Sequence, residues 1–159
     1  MGSQLDTERV EMALKKIEPP SNRDQSKNYS REDLSVIYSV AYALYQEGDY
    51  KEAILLFQRL ASHDPFTVKH WMGLGASLQM EKEFEESLKG WAMASIITPN
   101  DPVPHFHAAE CYLALGNETE GKKALSEARA LIKNEEHPSL LNQLETLERR
   151  FKEEHQKGA

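Results

Sequence analysis

Apolar and small residues recur along this chain at intervals of 34 positions. Ile37/Trp71, Ala41/Gly75/Ala109, Leu44/Leu78/Tyr112, Tyr50/Phe84, Ala53/Ser87/Gly121, Phe57/Trp91, Leu60/Ala94/Ala128 and Pro65/Pro99 each fall in step. Within each interval the apolar positions are three and four residues apart, which puts them on one flank of a helix. A repeat of this length marks a solenoid of helical hairpins, whose usual work is to hold another polypeptide.

The pattern predicts the elements in order. Thr7 to Ile17 reads as a short helix with Val10, Leu14 and Ile17 on one side, ended by Glu18-Pro19-Pro20, and Ser21 to Asn28 is a polar connector. Ser30, with Asp33 three residues on, is an N-cap signal for a helix reaching Glu47, and Gly48 closes it in the left-handed geometry. Further helices are expected over about Tyr50–Ala61, Phe66–Met80, Glu83–Ile97, Pro102 to the Gly116 stop, and Glu118–Ile132. Asp101 caps the helix that begins at Pro102, which stands in its first turn. A last helix after Pro138 carries Leu140, Leu141, Leu144, Leu147 and Phe151 on one flank and covers the open end of the stack.

The spacing Trp71-x-x-Leu74-Gly75-x-x-Leu78, followed by Phe84, Ser87, Trp91, Ala94 and Pro99, resembles a tetratricopeptide repeat in nearly full form. Ala41, Leu44, Gly48, Tyr50, Ala53, Phe57 and Pro65 make a second copy. Ala108-Ala109, Tyr112, Gly116, Gly121, Leu125 and Ala128 make a third, with Gly121 where alanine is usual. The expected fold is therefore all-α: three tandem repeats over about 34–67, 68–101 and 102–135 in a right-handed solenoid, a capping helix over 138–155, and an N-terminal helix and linker over 1–29. Small residues at 41, 75 and 109 let the second (B) helix of a hairpin approach the first (A), and aromatics at 57 and 91 fill the gap to the next hairpin.

Charge and cysteine content narrow the partners. The formal net charge of -7 argues against nucleic acid or an anionic membrane surface, both of which call for clustered Lys and Arg. A basic or very hydrophobic polypeptide suits better. The single cysteine, Cys111, excludes an internal disulfide framework and points to a reducing cytosol. No apolar stretch reads as a membrane span, and Asp6, Glu8 and Glu11 interrupt any signal-like N-terminus.

A second stripe on the first A helix carries the functional reading. Tyr38, Tyr42 and Tyr45 form an aromatic row beside the packing face of Ile37, Val40, Ala41 and Leu44. The same register holds Met72, Ala76 and Gln79 in the second repeat and Phe106, Glu110 and Leu113 in the third. A concave wall of this kind asks for the apolar side chains of an extended peptide, with Gln79 and the tyrosine hydroxyls bonding its backbone. The other reading of the tyrosines is that they lie half-buried against the N-terminal segment.

Asp33-Leu-Ser-Val-Ile-Tyr38-Ser-Val-Ala-Tyr42-Ala-Leu-Tyr45, Trp71-Met-Gly-Leu, Asp101-Pro-Val-Pro-His-Phe106-His107 and Glu110-Cys-Tyr-Leu-Ala-Leu-Gly116 resemble the class II chaperones of bacterial type III secretion over about residues 30 to 130. The resemblance implies a cytosolic protein that keeps two hydrophobic translocator proteins soluble and apart before export, by binding a Pro-x-Leu-x-x-Pro-like segment in the concave groove. Carried over by position, Tyr38, Tyr42, Tyr45, Met72, Gln79 and Phe106 touch that segment, with Leu60 and Phe66 as neighbours. It also implies a homodimer through the N-terminal segment. The Gly-Gly-Thr-Leu stretch common in that region of the family is absent here, and Pro19-Pro20 stand in its place.

Other classes find less support. A co-chaperone clamp for acidic C-termini needs Lys and Asn on the first A helix, where this chain has Tyr38 and Tyr42, and Lys or Arg on the third, where it has Val103 and His107. A general scaffold of the same repeat remains the alternative reading. His107 and Cys111, four apart, suggest a Cys-His nucleophile or half a metal site, yet Cys111 shares its register with Ala43 and Ser77 and reads as a packing residue. The remaining histidines lack ligand spacing, and the glycines at 73 and 75 sit in a helix without the partners of a phosphate loop. No enzyme activity, cofactor or metal is expected.

Overall fold

In the computed structural model, Met12, residues 29–133 and residues 135–158 are described. The expected helix over Thr7–Ile17, Met12 apart, and its connector to Asn28 lie outside them. Seven helices make up the described hairpins and cap: α1 (Arg31–Glu47), α2 (Tyr50–His63), α3 (Val68–Met80), α4 (Phe84–Ile97), α5 (Pro102–Ala114), α6 (Glu118–Leu131) and α7 (Pro138–Lys157). Consecutive helices pack on one another, α1 also meets α3, and α5 also meets α7. That order is three stacked hairpins with α7 across the C-terminal end.

Local chemistry sets the boundaries. Ser30 accepts from the Asp33 N–H at 3.1 Å while the Asp33 carboxylate accepts from the Ser30 N–H at 3.1 Å, a complete capping box. At the other end of α1, Gly48 takes φ +89°, its N–H reaching Tyr45 O at 3.2 Å and the Asp49 N–H reaching Leu44 O at 2.9 Å. This pair of bonds is a Schellman closure. Gly116, at φ +71°, ends α5 with the equivalent bonds to Leu113 O and Tyr112 O. α3 begins at Val68 rather than at Phe66. The reason is a turn held by Thr67 Oγ1 donating to Asp64 Oδ2 at 2.6 Å, which keeps Thr67 extended.

Two apolar cores are joined by a column of small side chains. The first gathers Ile37, Val40, Ala41 and Leu44 of α1, Ala53, Leu56, Phe57 and Leu60 of α2, and Leu74 and Leu78 of α3. The second gathers Phe106, Ala109 and Leu113 with Ala124, Leu125 and Ala128, closed by Leu144, Leu147 and Phe151 of α7. Each fully buried Leu or Phe contributes about 1.5–3 kcal/mol relative to exposure. Between the cores, a Cβ on Gly90 would lie 3.0 Å from Gly75 Cα, so α3 and α4 touch backbone to backbone. There the buried Ser87 Oγ donates to Gly75 O at 2.7 Å and accepts a long contact from the Cys111 thiol at 3.6 Å.

Candidate functional site

The A helices α1, α3 and α5 carry the wall that the sequence register defines. On α1, Tyr38 and Tyr42 are stacked with centroids 6.2 Å apart, and Tyr38 sits edge-on to Phe57 at 6.0 Å. Lys69 of α3 places its ammonium 4.3 Å from the Tyr38 ring centre. Tyr45 meets Tyr50 edge-on at 5.5 Å. Tyr42 is 47% exposed, whereas Tyr38 and Tyr45 are half-buried. Burial, reinforced by the neighbouring tyrosines, pushes the hydroxyls of Tyr38 and Tyr45 above their ordinary pKa. At neutral pH they are therefore uncharged groups that can donate a hydrogen bond.

Five of the eight expected contact residues are accessible on this part of the molecule: the three tyrosines, half-buried Met72 and Phe66, which is 84% exposed in the α2–α3 turn. The other three differ from expectation. Leu60 is 1% exposed because its register, shared with the buried Ala94 and Ala128, points between helices. Phe106 is 3% exposed: in the last repeat the wall position of Tyr38 and Met72 is closed over by α7, whose Leu147 shares its cluster. Gln79 is already engaged inside the protein at both ends of its amide, its Nε2 donating to Glu110 Oε2 at 2.8 Å and its Oε1 accepting from Trp91 Nε1 at 3.1 Å, which leaves one N–H and one lone pair.

That engagement belongs to a polar node which the sequence reading did not assemble. His107 stacks on Trp91 at 4.5 Å and 21°, and its Nδ1 lies 2.7 Å from Glu110 Oε2. Burial raises the Glu110 pKa, but the hydrogen bonds from His107 and Gln79 and the charges of His107 and Arg150 reverse this and hold it below the ordinary value. The signal was in the register: Glu110 occupies the place of Tyr42 and Ala76, an acid in an otherwise apolar row.

The His107 and Cys111 pair has no nucleophilic geometry. The Cys111 thiol is buried and directed at Ser87, and burial pushes its pKa up to about 11, against a smaller lowering by Ser87. Thiolate is thus scarce at neutral pH. Among the described residues no three His, Cys, Asp or Glu side chains gather as metal ligands, and no described helix is long and apolar enough to cross a membrane.

Comparison with known proteins agrees with this architecture. Residues 36–62 match the tetratricopeptide repeat family. The low calcium response locus protein H of Yersinia pestis is 33% identical over 103 residues, 65% of this chain and 61% of that protein. This chain thus aligns with less than two thirds of the length of that curated relative. The Yersinia enterocolitica type III secretion chaperone SycD, solved with a peptide of the translocator YopD, superposes with a TM-score of 0.75 at 29% identity, covering 79% of this chain and 97% of that one. PcrH, solved with the chaperone binding region of PopB, superposes at 0.63 and 32% identity, covering 65% of this chain and 84% of that one. With its hairpins in the same arrangement and this identity across most of PcrH, the chain belongs to the class II chaperones of bacterial type III secretion.

Proposed function

We propose that this protein is a non-enzymatic chaperone of the bacterial cytosol that holds an extended, Pro-x-Leu-x-x-Pro-like segment of hydrophobic translocator proteins against the A-helix wall, keeping them soluble and apart before export. The observation that carries the reading is the wall itself: Tyr42, 47% exposed, stacked on a half-buried Tyr38 whose ring is braced by Phe57. An apolar aromatic left partly open on a rigid backing is what an anchor side chain of a peptide requires. Solved relatives that carry translocator peptides support the same assignment. Tyr38, Tyr42, Tyr45, Met72 and Phe66 are the residues for this role. The buried Leu60 and Phe106 and the internally bonded Gln79 act by supporting them.

A translocator that must later enter a membrane exposes apolar segments when free, and masking one of them lowers its tendency to aggregate. Each well-buried tyrosine anchor contributes about 2 kcal/mol on truncation. Tyr42→Glu tests the proposal, because a carboxylate on the open wall costs binding but buries no charge in the core. Co-purification of a co-expressed translocator should be lost, while helicity and melting stay close to the parent. Equal loss of folding and binding would instead identify Tyr42 as a core residue.

A further inference from the structure

We propose that Glu110 of α5 and Arg150 of α7 form a main-chain clamp at the C-terminal end of the wall, gripping a peptide group of the client segment that the tyrosines anchor. The inference rests on the proposed function and extends it to a second subsite with a different chemistry. Glu110 stands in the register of Tyr42, the most exposed tyrosine of the wall, so the wall changes from apolar to charged as it passes from the first repeat to the third. One carboxylate oxygen is already engaged: Oε2 receives Gln79 Nε2 at 2.8 Å and lies 2.7 Å from His107 Nδ1. Among the described residues no hydrogen bond engages Oε1.

This carboxylate lines a cleft of about 300 Å³ between α5 and α7, floored by Phe106 and Leu147, with Asn142, Gln143 and Arg150 on the α7 side. An acceptor on one helix therefore faces donors on the other. A cationic ligand would meet Arg150, and an anionic one would meet Glu110. A peptide group is neutral and presents an N–H and a C=O on opposite sides, so it satisfies both rims at once.

The spacing agrees with an extended client. α1 packs on α3 and α5 follows one hairpin further along, so with packed axes roughly 8–10 Å apart the distance from α1 to α5 is on the order of 20 Å. An extended chain covers that in about six residues at ~3.3 Å each. The clamp thus falls near the end of a six-residue anchor motif and holds the flank beyond it. Because it reads main chain, it accepts flanks of different sequence, which suits a groove that serves more than one client.

The test uses a fluorescein-labelled peptide with a Pro-Ala-Leu-Ala-Ala-Pro core between Ala-Ser flanks, whose flank amides are replaced one at a time by esters, removing a single N–H. Fluorescence anisotropy with the wild-type chain should find one flank position at which the ester binds about three- to tenfold more weakly. Glu110→Gln keeps the bonds to Gln79 and His107 through its one oxygen and turns an amide N–H₂ towards the cleft, so it should bind amide and ester equally. Arg150→Met, at an exposed position of α7, should weaken the amide probe several-fold without altering the fold. Esters that bind wild type as well as the amide at every position overturn the clamp, as does ester sensitivity that persists in Glu110→Gln. Unchanged affinity in Arg150→Met overturns its donor half. Failure of the all-amide peptide to bind wild type at all overturns the translocator reading beneath it, and the clamp with it.

Discussion

Gly121 lies directly beneath the ring of Phe151: a Cβ built there would stand 2.4 Å from Phe151 Cζ. Glycine costs about 1 kcal/mol of helix propensity relative to alanine, so the residue is retained for space, not for backbone freedom. Gly121→Ala should therefore destabilise the protein by about 1–2 kcal/mol in urea unfolding, the clash outweighing the propensity gain. Phe151→Leu in the same chain should recover part of that loss, giving a coupling that a double-mutant cycle reads directly. In sequence, Gly121 stands out as a departure from the alanine usual in this repeat, but its cause is 30 residues away on the cap and invisible to a 34-residue register. Gly73 is a second case. Its register partners are Ser39 and His107, which give no hint that a Cβ there would strike Phe57 Cε1 at 2.3 Å. Ala41 and Ala109, by contrast, are both fully buried where the repeat demands small residues. Phe106 shares the register of Tyr38, yet α7 decides its burial.

Helix boundaries were more legible than side-chain fates, because caps act within a few residues. The Ser30–Asp33 box, the Asp101 cap whose Oδ1 accepts from the Val103 N–H at 2.9 Å, and the left-handed Gly48 and Gly116 all stand where local chemistry calls for them. The second hairpin closes differently. Lys82 occupies the register of Gly48 and Gly116 and takes φ +63°, with its N–H on Gln79 O at 3.0 Å and the Glu83 N–H on Leu78 O at 2.9 Å. The same Schellman closure is thus imposed on a residue with a side chain; the repeat register marks the position, but the lysine itself gives no local signal for it. A left-handed non-glycine residue costs about 1–2 kcal/mol; glycine removes that strain but loses roughly 0.4–1 kcal/mol to a freer unfolded chain. Lys82→Gly should therefore stabilise the protein by about 0.5–1 kcal/mol and raise its melting temperature by about 1–3 °C in calorimetry. A lower melting temperature would mean that the lysine makes a compensating interaction.

The two ends of the stack are built unequally, and this bears on assembly. At the C-terminal end α7 covers the last hairpin, burying Leu144, Leu147 and Phe151 against α5 and α6. At the other end, Val36 of α1 is 43% exposed, although its register partners His70 and Pro104 are buried in the second and third repeats. Those partners sit where one hairpin receives the preceding one, and α1 has no preceding hairpin among the described residues. The stretch that precedes α1 in sequence carries Val10, Leu14 and Ile17 at helical spacing, an apolar row of the kind that such a face would accept from its own chain or from a second copy. If the N-terminal segment supplies the contact between two copies here, removing residues 1–28 should shift sedimentation velocity profiles from dimer towards monomer. Far-ultraviolet helicity and the cooperative melt of the repeats should persist, since neither core draws on that segment among its described members. Val36→Glu in the full-length chain should move the same equilibrium in the same direction, because it places a charge on the uncovered face without touching the interior. An unchanged sedimentation coefficient in both variants would separate the N-terminal segment from assembly, and loss of the melt on truncation would make it part of the fold.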